Sequence, residues 1–273
     1  MNVKLQTARP KRGARARFLE RTAVERAVSV GSPLLLLFLW EGLGRAGALD
    51  QRFFPTPSAI AGTFLELIKS GELIGHVGTS LGRIAIGFVL GAIPGLLLGI
   101  VMGLSRIVRA ALKPMVGALY PIPKTAIFPL LLLIFGIGEP SKYAIVAIGV
   151  FFLVLLNTMA GVLGIEPVYL DVAKNYGAGR RELLQTVALP GALPLIFTGL
   201  RLGWGNALLL IVVAEIIGAR SGIGALIWNA WQTFQVERMY VGLVVISFIG
   251  FVSFLIIDEL QRWLIPWKGG RAA

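Results

Sequence analysis

The sequence predicts an all-α integral membrane protein built on six transmembrane helices, and three observations carry that prediction. Of the 273 residues, 56% are hydrophobic and only 15% are charged, with a mean hydropathy of +0.80, far more apolar than an average soluble domain. Six windows, near 28–47, 79–104, 114–136, 142–164, 195–218 and 240–263, reach the roughly 20 apolar residues that a hydrocarbon core about 30 Å thick demands. Their Leu, Ile, Val and Ala run without the two-residue alternation of a transmembrane barrel, so the spans are helices.

Taken in order, residues 1–27 form a basic segment, and 11–27 place Phe18, Leu19 and Val24 among arginines, with Val28 just beyond. That pattern suits an amphipathic helix on the inner membrane surface. The basic residues ahead of LLLLFLW, with the run Ala46, Gly47 and Ala48, imitate a secretory signal, but a leader of about 30 residues is too long for one. At the outer end of the first span, Glu41 and Arg45 are four apart and read as an intrahelical pair. Thr56 and Pro57 read as a helix N-cap followed by proline at the first helical position. Ile60, Phe64, Leu67 and Ile68 then mark one apolar face of an extracytoplasmic helix. Residues 28–264 are the six-span domain, 165–194 its longest inner loop, and 265–273 a short tail.

Charge sets the orientation. Of the 26 lysines and arginines, seventeen fall on the segments that are inside if the N-terminus is inside: eight before the first span, then Arg106, Arg109 and Lys113, then Lys174, Arg180 and Arg181, then Arg262, Lys268 and Arg271. Six fall outside, and Arg83, Lys124 and Arg201 fall within spans. The bias puts both termini in the cytoplasm. The net charge of +12 is then a topology signal and an attraction to anionic lipid, not a nucleic-acid footprint. Zero cysteines, one histidine (His76) and 14 scattered acidic residues offer no metal or acid/base constellation, so no catalytic site and no resident cofactor is expected. His76 sits at a membrane edge with no function read into it.

The loop at 165–194 has more structure than a connection needs. Val168, Val172 and Tyr176 recur at helical spacing, as do Leu183, Leu184 and Val187, with Gly177 and Gly179 between the sets and Pro190 and Pro194 leading into the next span. The pattern predicts a helix, a sharp turn and a second helix, presented as a docking surface.

Here the chain resembles the membrane subunits of bacterial binding-protein-dependent ABC importers, whose cytoplasmic signature is E-A-A, three residues, G, nine residues, I, one residue, L-P. This sequence has Asp171, Val172 and Ala173, then Gly177 after three residues, and Val187, Leu189 and Pro190 at the remaining spacings. Asp171, Val172 and Val187 depart from the signature but keep its charge or apolarity. FFPTPSAI at 53–60, YPIPKTAIFPLLLLIFGIGEPSK at 120–142 and GLRLGWGNALLLIVVAEIIGARSGIG at 199–224 are similar to the nitrate, sulfonate, taurine and bicarbonate branch. The resemblance implies a type I importer permease in the bacterial inner membrane. It also implies two permease subunits, with one sequence most economically a homodimer, whose loops dock into separate ATPase subunits, and a periplasmic binding protein that delivers a small solute, expected to be an anion such as a sulfonate, taurine or nitrate. ATP and magnesium belong to the ATPase, and the chain itself has no G-x-x-x-x-G-K-[ST] phosphate loop.

By this resemblance Asp171, Ala173, Gly177, Arg180, Arg181, Leu189 and Pro190 are the coupling residues. Lys124, Asn157, Arg201, Trp204, Asn206 and Glu215 are the candidates for the translocation pathway. Lys124, about 15 Å into its span, either contacts an anionic substrate or makes a structural contact. Arg201 either lines the path or reaches headgroups. Glu215 divides between an outer gate and a structural role, and Asn157 suits a helix-to-helix hydrogen bond. The alternative, a secondary transporter or another membrane protein without an ATPase, would want coupling carboxylates and inverted repeats that the sequence lacks.

Overall fold

The computed structural model describes residues 12–268, and every regular element among them is helical. The described chain divides into two compact units, residues up to Gly62 and residues from Thr63 onward.

In the first unit, α1 (Arg12–Arg45) is continuous and contains the first apolar window. The amphipathic surface helix expected over 11–27 depends on side chains that lie outside the described residues; from Arg12 the backbone there is the start of α1. Leu35, Leu36 and Phe38 are exposed along it, as an apolar run facing lipid should be. The Glu41–Arg45 pair forms at 2.6 Å, and Glu41 also accepts the Ser58 N–H at 3.0 Å and the Ser58 hydroxyl at 2.8 Å. That carboxylate therefore sits over the first turn of α2 (Pro57–Lys69), where a negative charge favours the helix dipole. Thr56 caps the same helix by accepting the Ala59 N–H at 3.4 Å, as the Thr-Pro pair predicts.

The second unit holds α3 (Glu72–Leu104), α4 (Arg106–Leu119), α5 (Lys124–Phe135) and α6 (Glu139–Leu163). It continues through α7 (Pro167–Asn175), α8 (Arg180–Glu182), a π-helical segment (Leu183–Ala188), α9 (Leu189–Gly218), α10 (Ile223–Gln232) and α11 (Val236–Leu264). Among the described residues four helices here are long and apolar enough to cross a membrane, and a fifth if the bent pair α4–α5 is one span. With the apolar part of α1, these accommodate the six windows.

The window 114–136 is bent by 94° between α4 and α5. Pro121 and Pro123 lie at that bend: neither can donate a backbone hydrogen bond, so the ladder stops at Tyr120 and restarts at Lys124. Pro129, by contrast, stays inside α5.

The centre of the unit is α6, sandwiched between α3 and α9. Gly87, Gly91, Gly95, Gly99 and Gly103 recur every fourth residue along α3 and form one stripe against α6. A Cβ on Gly95 would sit 2.7 Å from the Phe151 carbonyl oxygen, and one on Gly91 would collide with the Ala147 backbone. Lipid tails are as apolar as leucine, so what holds such helices together is close van der Waals packing, which bare glycine faces permit. Ile84, Phe128, Val146, Val150, Val154, Ala207 and Ile211 fill the core around this seam.

Candidate functional site

The two ends of α9 carry the candidate functional groups. At its start lies the loop singled out in the sequence. Helix α7 exposes Val168, Tyr169 and Val172, and Tyr176 just beyond it is 89% exposed. Gly177 then turns the chain at φ +76° with open space where a Cβ would be, a conformation that glycine adopts without the steric cost other residues meet. Glu182 reaches back and accepts the Gly179 N–H at 2.7 Å, while the Leu183 N–H donates to the Gly179 carbonyl at 2.9 Å. This is the carboxylate half of a capping box, readable in the sequence as Glu three residues after Gly179.

From Arg180 the helix is unbroken into α9, so the second short helix expected here is the N-terminal extension of the span itself. Pro190 has no N–H for the Thr186 carbonyl, and the backbone widens just ahead of it: the Leu189 N–H donates five residues back, to Leu184. Asp171, Gly177 and Arg181 are exposed, Ala173 and Pro190 half-buried, and Leu189 37% exposed. Arg180 opens α8, and its side chain lies outside the described residues.

At the far end of α9 the polar groups are buried. Glu215 is 0% exposed and Arg83 5%. They pair at 2.8 Å, and the Arg83 guanidinium also forks onto Glu139 at 2.6 and 2.7 Å. The Ser80 hydroxyl donates to Glu215 at 2.9 Å. Glu139, at the start of α6, further pairs with Lys142 at 3.7 Å. Arg83 also donates to the Ser221 carbonyl at 2.5 Å. The cluster thus ties α3, α6 and α9 to the α9–α10 turn, and two cations balance two carboxylates.

The α10 N-terminus is held by the same groups. Its first N–H donors have no partner within the helix. Instead the Gly222 N–H goes to His76 Nδ1 at 3.0 Å, Ile223 N–H to Ser80 Oγ at 2.8 Å and Gly224 N–H to Glu215 Oε2 at 2.9 Å. A Cβ on Gly222, at φ +115°, would strike the Glu215 carboxylate. Arg83, Ser80 and His76 were not candidates from the sequence. The signal was present as Glu72, His76, Ser80 and Arg83 at helical spacing, a polar stripe running into the glycine stripe of α3.

The remaining pathway candidates are placed one by one. Lys124 Nζ donates to the carbonyls of Leu119, Tyr120 and Ile122 at 3.3, 2.6 and 2.7 Å and lies 4.8 Å from the Phe152 ring centroid. It thereby satisfies the carbonyls left open at the α4–α5 bend. Arg201 pairs with Asp258 of α11 at 2.8 Å and stacks 5.2 Å from the Phe254 centroid. Asn157 Nδ2 donates to Leu153 O in its own helix at 2.8 Å, rather than across helices. Trp204 meets Phe88 edge to face at 5.1 Å, with its buried indole N–H unpartnered, and Asn206 packs by Gly149. Among the described residues no group of three or more His, Asp or Glu side chains could hold a metal ion.

Residues 95–269 match the family model described as binding-protein-dependent transport system inner membrane component. The chain belongs to this family. It is therefore a multi-pass inner membrane permease subunit of an ATP-binding-cassette importer, not an enzyme, and the family works with an ATPase and a substrate-binding protein. It is 37% identical to the putative aliphatic sulfonates transport permease protein SsuC of Bacillus subtilis (strain 168), over 86% of each chain. To the taurine transport system permease protein TauC of Escherichia coli (strain K12) it is 34% identical, over 89% of this chain and 90% of the other. In fold, it is similar to a chain of the MetNI methionine ABC transporter in inward-facing conformations. That match has a TM-score of 0.63 at 17% identity, covering 70% of this permease and 95% of that chain.

Proposed function

We propose that this permease imports a small sulfonate-type anion and is driven through residues 165–194. One observation carries the reading of the loop. An exposed turn at Gly177, flanked by the apolar face of α7, leads without interruption into α9, so a push on the turn is a push on a span. In this reading Asp171, Ala173, Gly177, Arg181, Leu189 and Pro190 seat in a groove of the ATPase, with Arg180 beside them. ATP and magnesium are held by that ATPase. Two copies of the chain form the pathway as a homodimer, both termini are cytoplasmic, and lipid surrounds the exposed leucines.

Closure of the ATPase dimer on ATP carries the two loops together and rocks the spans outward, and release of ADP reverses the motion. The pathway runs beside the α4–α5 bend held by Lys124 and along α9 past Arg201, Trp204 and Asn206, with Asn157 on α6 facing the same seam. Glu215 supports the outer end of that wall from within. The sulfonate substrate is supported by the sulfonate and taurine relatives. Uptake of labelled taurine and of a short alkanesulfonate, by vesicles holding the complete transporter and its binding protein, tests the substrate class. ATP-dependent uptake that an excess of unlabelled alkanesulfonate abolishes is the expected result. Uptake only of ligands that lack a sulfonate group would overturn it.

A further inference from the structure

Three successive N–H groups at the start of α10 are received by three side chains of different character: His76, Ser80 and Glu215. The serine hydroxyl does not titrate, and the Glu215 carboxylate is buried against Arg83 at 2.8 Å. His76 differs from both. Its Nδ1 accepts the Gly222 N–H at 3.0 Å, and a ring nitrogen can accept only while it carries no proton, because both nitrogens of an imidazolium are donors. The bond therefore exists only with the neutral ring, its proton on Nε2, which faces Glu72 Oε1 at 4.0 Å. Imidazole is the side chain whose charge ordinarily changes between about pH 5 and 8. The ring is not sealed off from protons, with 15% of its side chain exposed.

Charged groups surround the ring and the turn. Glu72, on the same helix, faces Nε2, and Arg238 of α11 occupies its other oxygen at 2.6 Å. On the side of the turn, Arg83 holds the Ser221 carbonyl at 2.5 Å. Its charge is shared by Glu139 of α6, with Lys142 beside it, and by Glu215 of α9. Arg220 adds a further positive charge on the turn itself. Adding a proton at Nδ1 replaces an acceptor by a donor facing the Gly222 N–H, so acid removes one of the three ties on the turn.

We propose that His76 is a positioning residue for transport, an acid-released clasp that holds the α9–α10 turn while its imidazole is neutral. Helix α9 receives the push at its other end, so the clasp fixes the end against which that push works. The consequence for import rests on the coupling reading above, and with cytoplasmic termini the turn faces the extracytoplasmic side.

The chain has a single histidine, so histidine-specific ¹⁵N labelling of this chain alone, without a histidine tag and assembled with unlabelled partner subunits, gives one kind of imidazole to follow. At pH 8 the Nε2-protonated tautomer is expected. Amide exchange over residues 219–226, corrected for the intrinsic effect of pH, should rise about tenfold between pH 8 and pH 5.5, the factor expected for losing one hydrogen bond. His76→Asn, whose Oδ1 can accept the Gly222 N–H at any pH, should keep the slow exchange at both values. His76→Ala should exchange fast at both. An Nδ1-protonated tautomer at pH 8, or an equal rise in wild type and His76→Asn, would overturn the clasp. Acidifying one face of sealed proteoliposomes separates the two readings. Release from the ATPase face alone would support the clasp and overturn the orientation.

Discussion

Helix α9 spans about 45 Å at 1.5 Å per residue, and its two ends are built on opposite principles. At the Glu215 end the central polar groups are buried and partner one another: the carboxylate receives Arg83, Ser80 and the Gly224 N–H. At the Gly177 end the apolar groups are exposed, with Tyr176 at 89% and open space around Gly177. The contrast separates an anchor from a handle. A buried charge tolerates no missing partner, so that end must be complete within the chain. An exposed apolar turn is incomplete by itself and suits a surface that another subunit covers.

Breaking the anchor should have the largest effect. Arg83→Ala leaves the Glu215 carboxylate buried without its counter-charge, and a loss of about 3–5 kcal/mol is expected, read as loss of the folded population on titration with SDS in mixed micelles. Glu215→Gln, which keeps an acceptor for the Gly224 N–H, should lose less than Arg83→Ala. The seam that carries the anchor comes next. Gly95→Leu places a side chain against the Phe151 carbonyl, and overpacking of this kind costs about 1–3 kcal/mol, measurable in the same titration. The α4–α5 bend gives the smallest effect and sharpens the comparison by adding a third, half-buried case. Lys124→Met removes the donor to three carbonyls, of which that of Leu119 still receives the Ile122 N–H, for a loss of about 1–2 kcal/mol. Taurine uptake should then fall in proportion to folded transporter with KM unchanged; a raised KM at constant folded population would instead give Lys124 a direct contact with the anion.

The handle was legible in the sequence and the anchor largely was not. Gly177 lies at a fixed spacing from Asp171 and Pro190, and local chemistry places it: two apolar sets at helical period with glycines between them define a turn whatever the rest of the chain does. The spans were equally local, since 20 apolar residues announce themselves. The anchor depends on residues far apart in sequence. Arg83 and Glu215 are joined across 132 positions, and no periodicity within one helix reveals which distant carboxylate will answer a buried arginine. Lys124 was visible as a costly charge at membrane depth, but its partners are backbone carbonyls freed by Pro121 and Pro123, and a sequence does not display carbonyls. The uninterrupted helix from Arg180 through Pro190 was missed because proline signals a break, whereas here a π turn accommodates it.

Gly177→Asp puts a charged side chain at φ +76° on an exposed turn and alters no span, so the complex should insert, with its SDS unfolding midpoint lowered by no more than the roughly 1–2 kcal/mol that a non-glycine residue costs in the left-handed region. The decisive measurement is the ATPase activity of that complex in proteoliposomes, with and without loaded binding protein. Stimulation should be lost, with ATPase subunits dissociating or hydrolysing ATP at a rate indifferent to the binding protein. Stimulation at the wild-type level would contradict the claim that this turn drives α9.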